Sequence, residues 1–168
     1  MHKLSAIALA TVAAHEINVF APQNFLQKNL IQSLLRTVTM DAPLTLGEVT
    51  YGQCDDDAGA FTLDMKQTTN SPNPIVKGQK VSLMLRGIVS EGVDVDNVHV
   101  HVDWNGSTLY DQDIAMTEHY DSTYQYDVSW DVPSYAPSGS YAVTMKGHGK
   151  TDEVSDGIVM CTTANFDL

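Results

Sequence analysis

The strongest constraint on the fold of this chain is a period-two alternation of apolar and polar residues, which begins near residue 47. In residues 98–104, three valines and a tryptophan alternate with His99, His101 and Asp103. Successive side chains of a β-strand point to opposite faces of its sheet, so this run predicts a strand with one apolar and one polar face. Residues 124–130 repeat the pattern with tyrosine, valine and tryptophan on the apolar face.

Turn residues separate these alternating runs. Asn105-Gly106 lies between two of them and predicts a tight hairpin, because a type I′ turn needs positive φ at both central residues. Pro137-Ser138-Gly139 precedes the run that contains Tyr141, Val143 and Met145. About seven or eight short antiparallel strands at this spacing predict an all-β sandwich or barrel. Predicted strands do not alternate with helices in this region, so the sequence does not predict a parallel sheet.

The N-terminus is typical of a leader. Residues 1–14 have a basic start, an apolar stretch and small residues before His15, which predicts a signal peptide cleaved at that point. Residues 1–40 contain only one acidic residue, so an organellar leader is the alternative. The apolar stretch is too short to span a bilayer, and we predict no transmembrane helix. The expected location is secreted or lumenal, in the endosomal or lysosomal system.

The segment 15–46 contains one predicted helix. Within residues 24–38, apolar side chains recur every four residues from Leu26 to Val38, as on one face of an amphipathic helix. Asn24 is a suitable N-cap, and Asp41-Ala42-Pro43 ends the pattern. We expect this helix to pack on the domain; the alternatives are a lid, a propeptide or a helix that docks a protein partner.

Charge excludes one class of partner. The chain has 21 acidic and 9 basic side chains, a formal net charge of −12. Binding to nucleic-acid phosphates needs a basic face, so we predict no nucleic-acid partner. Steady adhesion to an anionic membrane at neutral pH is also disfavoured, which leaves transient membrane contact.

A search for catalytic motifs predicts that the protein is not an enzyme and needs no cofactor. The sequence has no GxSxG, HExxH, P-loop or GxGxxG motif. A zinc site on His99, His101 and Asp103 would need a further ligand, such as His119 or His148. We expect a solvated outer face here instead, and we predict no metal site.

Three other polar features have ordinary explanations. The acidic run 55–57 lacks the spacing of an EF-hand, so we expect an exposed loop. Asn105-Gly106-Ser107 is a glycosylation sequon, although the hairpin turn also explains these residues. Cys54 and Cys161 lie 107 positions apart, which favours a disulfide between the first and last strands over two buried thiols.

Several short segments occur in order along residues 49–168: Tyr51–Cys54, Asn73–Gln79, Ala136–Val143, Val159–Cys161 and Phe166–Leu168. Together they resemble the ML domain, the MD-2-related lipid-recognition family that includes Niemann–Pick C2 and the phosphatidylglycerol/phosphatidylinositol transfer proteins. The resemblance implies an immunoglobulin-like β-sandwich, which we expect over residues 47–168, after the helix that the periodicity predicts. It also implies an apolar space between the sheets that binds a sterol, a phospholipid or a fatty acyl chain for transfer or presentation.

The alternation and the resemblance together give a candidate lipid-binding wall. Its members are apolar residues on the inward faces of the predicted strands: Phe61, Leu63, Val81, Leu83, Leu85, Val98, Val100, Val102, Trp104, Tyr124, Tyr126, Val128, Trp130, Tyr141, Val143 and Met145. The same faces would also suit a filled core. The alternative function is therefore a non-catalytic structural or interaction sandwich, docked to a larger assembly through residues 24–38.

Overall fold

The computed structural model of the protein describes residues 47–54 and 60–168, together with the backbone of residues 15–16. Strands account for most of this part of the chain: β1 (His15–Glu16), β2 (Thr50–Gln53), β3 (Phe61–Leu63), β4 (Thr69–Ser71), β5 (Lys80–Val89), β6 (Val93–Trp104), β7 (Ser107–Tyr120), β8 (Thr123–Asp131), β9 (Ser140–Thr151) and β10 (Gly157–Asp167). The predicted all-β class is confirmed.

Some of the predicted features lie outside the described residues. They are the leader 1–14, the helix 24–38 and the acidic run 55–57. Within the described residues, no helix is long and apolar enough to cross a membrane.

The strands form two sheets. One has the order β1-β8-β5-β3, with β4 also paired to β5, and the other has the order β2-β10-β9-β6-β7. The β5–β8 pair in one sheet and the adjacent β6, β9 and β10 in the other correspond to the B–E and C–F–G groups of an immunoglobulin sandwich. One pair differs from the antiparallel prediction, because β1 runs parallel to β8. β1 also lies at the start of the segment 15–46, which we predict to be helical.

A β-bulge in β6 keeps its valines on one face. The pairing of β6 with both neighbours shifts between Val95 and Asn97. The extra residue shifts the inward–outward alternation of side chains by one position. Val93 and Val95 before the bulge and Val98 after it therefore all point inward. His99 lies on the opposite face from the buried valines, as predicted. The core between the sheets is therefore lined with valine along the whole of β6.

The edge strand β2 is fastened at one end. Cys54 and Cys161 form the predicted disulfide, with Cα atoms 5.4 Å apart, and it joins the end of β2 to β10 within one sheet. Gln53 links β2 to the other sheet: its Nε2 donates to Phe61 O at 2.7 Å, and its Oε1 accepts from Leu63 N at 3.2 Å. This end of β2 is thus tied to both sheets.

The predicted hairpin connects β6 and β7. Asn105 and Gly106 have φ values of 48° and 77°, as a type I′ turn requires. Asn105 Oδ1 accepts a hydrogen bond from Ser140 N at 3.0 Å, so its side chain also anchors the start of β9. Glycosylation of the exposed Asn105 stays a prediction.

Candidate functional site

An apolar cavity lies between the two sheets, on the side where β2 and β4 form their edges. Residues from both sheets and from the segment before β5 line it: Val49, Tyr51, Asn70, Ile75, Leu83, Val100, Val102, Val128, Trp130, Tyr141, Val143, Met145, Ala164 and Phe166. Most of these side chains are buried. Such a lining can solvate a hydrocarbon group but offers little to a polar ligand.

The polar groups of the lining sit at the cavity edge. The Tyr51 hydroxyl on β2 donates a hydrogen bond to Asn70 Oδ1 on β4, and so connects the edges of the two sheets. The Asn70 amide is itself held, since its Nδ2 donates to Pro72 O at 2.6 Å. Burial raises the pKa of the Tyr51 phenol above its ordinary value, so it stays a neutral donor. We call the Tyr51–Asn70 contact the edge hydrogen bond.

Two stacked aromatic rings form part of the wall. Tyr141 on β9 and Phe166 on β10 are cross-strand neighbours, with ring centroids 5.3 Å apart and nearly parallel planes. The Tyr141 hydroxyl points away to Pro137 O, to which it donates at 2.8 Å. Both residues therefore line the cavity as a stacked pair, while the polar end of Tyr141 is satisfied elsewhere.

The cavity is small in this structure. Its volume is about 30 Å³. On the same scale a single water molecule needs about 10–15 Å³. Pockets for drug-sized ligands occupy about 300–1,000 Å³. An acyl chain or a sterol would therefore fit only after the two sheets move apart along the β2–β4 edge.

The structure brings together half of the predicted wall. The members that line the cavity are Leu83, Val100, Val102, Val128, Trp130, Tyr141, Val143 and Met145. The other members lie elsewhere in the core or at its margin: Phe61, Leu63, Val81, Leu85, Val98, Trp104, Tyr124 and Tyr126. Trp104 is only half-buried, and its Nε1 donates to Ser138 O at 3.2 Å. Alternation identifies the inward face of a strand but not the point along it where the sheets separate.

An aromatic cluster fills the opposite end of the sandwich. Tyr124 lies 4.7 Å from Phe61 and 4.7 Å from Tyr120, measured between ring centroids, and 6.3 Å from Tyr126. Burial is the main cause that raises the pKa of Tyr124 well above its ordinary value and that of Tyr126 to about 12. These phenols are neutral at physiological pH and form packed core rather than an ionisable site.

Sequence reasoning missed several lining residues: Val49, Tyr51, Asn70, Ile75, Ala164 and Phe166. β2 and β4 are only four and three residues long, too short for a clear alternation. Ile75 lies in a loop, where periodicity gives no signal. Ala164 and Phe166 do share a period of two in the last strand, and that signal could have placed them on the inward face.

Comparison with known proteins does not assign this chain to a family. No protein-family model and no curated protein matches the sequence. Similar solved structures include chicken MD-1 complexed with lipid IVa, at 15% identity and a TM-score of 0.39, covering 76% of this chain and 93% of that one. They also include a Niemann-Pick type C2 protein from Japanese carpenter ant, at 12% identity and a TM-score of 0.36, covering 76% and 96%. A protein from Archaeoglobus fulgidus has 10% identity and a TM-score of 0.37, covering 74% and 98%. Similarity this weak does not carry a ligand or a family over to this chain.

Proposed function

We propose that this protein binds a lipid in the cavity between its sheets and transfers or presents it. The observation that carries the proposal is the position of the cavity: its apolar lining reaches the edge where few hydrogen bonds join the sheets. The Tyr51 hydroxyl donates to Asn70 Oδ1 there, and Val49 N donates to Asn73 Oδ1 at 3.5 Å. The resemblance of several sequence segments to the ML family supports the same ligand class. A sterol, a phospholipid and a free fatty acid all present the hydrocarbon group that this lining favours.

The energetics of such binding are adequate. Burial of one CH₂ group is worth about 0.8 kcal/mol, so a long acyl chain offers on the order of 10 kcal/mol before ordering costs are subtracted. The polar headgroup would stay near Tyr51 and Asn70, where donors and acceptors reach the cavity edge. The hydrocarbon would replace contacts between the sheets as these move apart.

A carrier of this kind needs no covalent step. Among the described residues that line the cavity, none is a carboxylate, an imidazole or a thiol. Binding, shielding and release then follow from opening and closing of the β2–β4 edge, and we propose a carrier rather than an enzyme. The disulfide fits an oxidising compartment, so we propose a secreted or lumenal location, with an organelle reached through a cleaved leader as the alternative.

Lipid extraction followed by mass spectrometry tests the proposal on the purified protein. We expect a bound lipid at near-stoichiometric amount, and binding of a fluorescent fatty acid after delipidation. An extract without lipid, together with no binding of the fatty acid, would contradict the proposal.

Two neighbouring substitutions on β10 locate the binding. Ala164 lines the cavity, whereas Asn165 is exposed on the other face. Ala164→Leu adds three carbon atoms to the cavity, which should cost the ligand about 2 kcal/mol, or roughly thirtyfold in affinity. Asn165→Leu places a leucine on the outer face of the same strand and should leave the affinity unchanged. Equal effects of the two substitutions would place the ligand elsewhere.

The small volume of the cavity favours a second candidate function. A void of about 30 Å³ is compatible with a filled core, as in a structural or interaction module. In that case the delipidated protein would bind no lipid, and Ala164→Leu would only destabilise the fold by about 1–3 kcal/mol through overpacking.

A further inference from the structure

The outer face of the sheet that contains β6 and β7 carries a cluster of histidines and carboxylates. His99 and His101 lie two residues apart on β6, and Asp111 on β7 is the cross-strand partner of His101. The Asp111 carboxylate lies between the two rings: its Oδ1 is 2.8 Å from His99 Nε2, and its Oδ2 is 3.6 Å from His101 Nδ1. One atom from each residue falls within 4.8 Å of the other two.

Each imidazole in the cluster has a second carboxylate on its other nitrogen. His99 Nδ1 lies 2.9 Å from Asp113 Oδ1, and His101 Nε2 lies 3.1 Å from Asp103 Oδ1. Histidines that bind a metal commonly donate their outer N–H to a carboxylate, which fixes the tautomer and turns the lone pair of the inner nitrogen toward the metal. Here both histidines have this arrangement, and both inner nitrogens face Asp111.

The inner atoms need a proton or a metal ion between them. If Asp113 and Asp103 accept the outer N–H groups, the inner nitrogen of a neutral imidazole and the Asp111 oxygens are all acceptors. Acceptors in such close contact repel each other unless a proton or a metal ion lies between them. We propose that His99 Nε2, His101 Nδ1 and the Asp111 carboxylate bind a divalent transition-metal ion.

The donor set favours a transition metal such as Zn²⁺ over Ca²⁺ and Mg²⁺. Calcium and magnesium prefer oxygen ligands, whereas two imidazoles and one carboxylate match the three protein ligands of an open zinc site. Tetrahedral zinc with bonds of about 2.0–2.1 Å separates its ligand atoms by about 3.3 Å. The distances of 2.8 and 3.6 Å from the two Asp111 oxygens to the rings lie on either side of this value, and the three donor atoms lie within 4.8 Å of one another.

The surroundings define what such an ion would do. The side chains of His99 and His101 are 33% and 31% exposed, so the ion is reached from solvent and keeps a coordination position for water or for a donor from a partner. It would also fasten the edge strand β7 to β6. Lys146 is the β9 neighbour of His99 and adds a positive charge nearby, which limits the affinity.

This site differs from the one that the sequence suggested, and it replaces our prediction of no metal. Asp103 lies on the outer nitrogen of His101 and is a positioning residue rather than a ligand. His119 lies apart from the cluster, between Asp94 and Asp121, at 2.6 and 2.8 Å from their carboxylates. His119 therefore provides a matched control, because it too is an outer-face histidine held by two carboxylates.

Calorimetric titration with Zn²⁺ alone tests the proposal. The full-length chain, without a polyhistidine tag and stripped with a chelator, should bind zinc at a site that Asp111→Asn and His99→Gln each remove. Asp113→Asn keeps all three ligands and should weaken binding by about 10–100-fold. His119→Gln should leave this site intact.

The remaining outcomes overturn the proposal. If wild type binds no zinc, or if Asp111→Asn binds it as wild type does, the cluster is a network of ordinary ion pairs. If His119→Gln removes the binding, the site lies elsewhere. Circular dichroism of each variant checks that the fold is intact, and His99→Gln decides the result should Asp111→Asn fail to fold.

Discussion

The edge hydrogen bond between Tyr51 and Asn70 should control how fast a lipid enters. β2 is held at its other end by the disulfide and by Gln53, so we expect the sheets to separate near Tyr51. Besides the edge hydrogen bond, a longer one from Val49 N to Asn73 Oδ1, at 3.5 Å, joins the sheets there. A hydrogen bond contributes about 1 kcal/mol net, and Tyr51→Phe removes it while leaving the ring in place. The closed state loses about that much stability, so the open fraction should rise about fivefold.

Stopped-flow mixing of the delipidated protein with a fluorescent fatty acid measures the effect. Uptake by Tyr51→Phe should be about fivefold faster than by wild type if opening precedes binding. Tyr141→Phe is the matched control, because it also removes a hydroxyl from a cavity-lining tyrosine, but one that donates to Pro137 O. An unchanged rate for Tyr51→Phe, or equal acceleration by both variants, would refute the assignment of this edge as the route of uptake.

Five further outcomes are expected. Reduction of the disulfide, which closes a loop with a sequence separation of 107, should lower the free energy of unfolding in urea by about 4–5 kcal/mol. Gly149→Ala should cost at least about 1–3 kcal/mol, because its Cβ would lie 1.9 Å from Asp94 O. Gly106→Ala meets no atom within 4 Å and should cost only about 1–2 kcal/mol for its positive φ. An NMR titration should find the pKa of His119 above 6.5, because this side chain hydrogen-bonds to Asp94, the larger cause, and to Asp121. The stability that this adds is present below pH 6.5 and is lost as the pH rises through the folded pKa. Asp94→Asn should lower that pKa. Transfer of lipid between anionic vesicles should be faster at about pH 5 than at about pH 7, because protonation of carboxylates and histidines reduces repulsion of the acidic protein.

Much of the sandwich was predictable because strand faces follow from local sequence. The alternation in residues 98–104 predicted the buried valines, and Asn105-Gly106 predicted the hairpin that the structure contains. The two distant cysteines predicted the disulfide. Each of these signals depends on side-chain direction or turn geometry within a few residues, or on a covalent bond between two residues of one type.

The cavity was less predictable because it depends on the distance between sheets. Leu83 and Leu85 are equally apolar and face the same way, yet only Leu83 lines the cavity. The difference arises from what lies opposite, including Ile75 from a loop and Tyr51 from a four-residue strand. Neither contact is encoded in the pattern of β5 itself.

The histidine cluster shows how one bulge determines a candidate site. A two-residue turn at Asn105-Gly106, continued without interruption, would pair His101 with Tyr110 and turn Asp111 toward the core. The register instead shifts between Val102 and Asp103, and the extra residue in β7 brings Asp111 opposite His101 on the outer face. From the sequence of β6 alone, the row of His99 and His101 had no ligand from a second strand, and a solvated face was the simpler expectation. The same shift buries Tyr110, so deletion of that extra residue should both expose the tyrosine and separate the three proposed ligands.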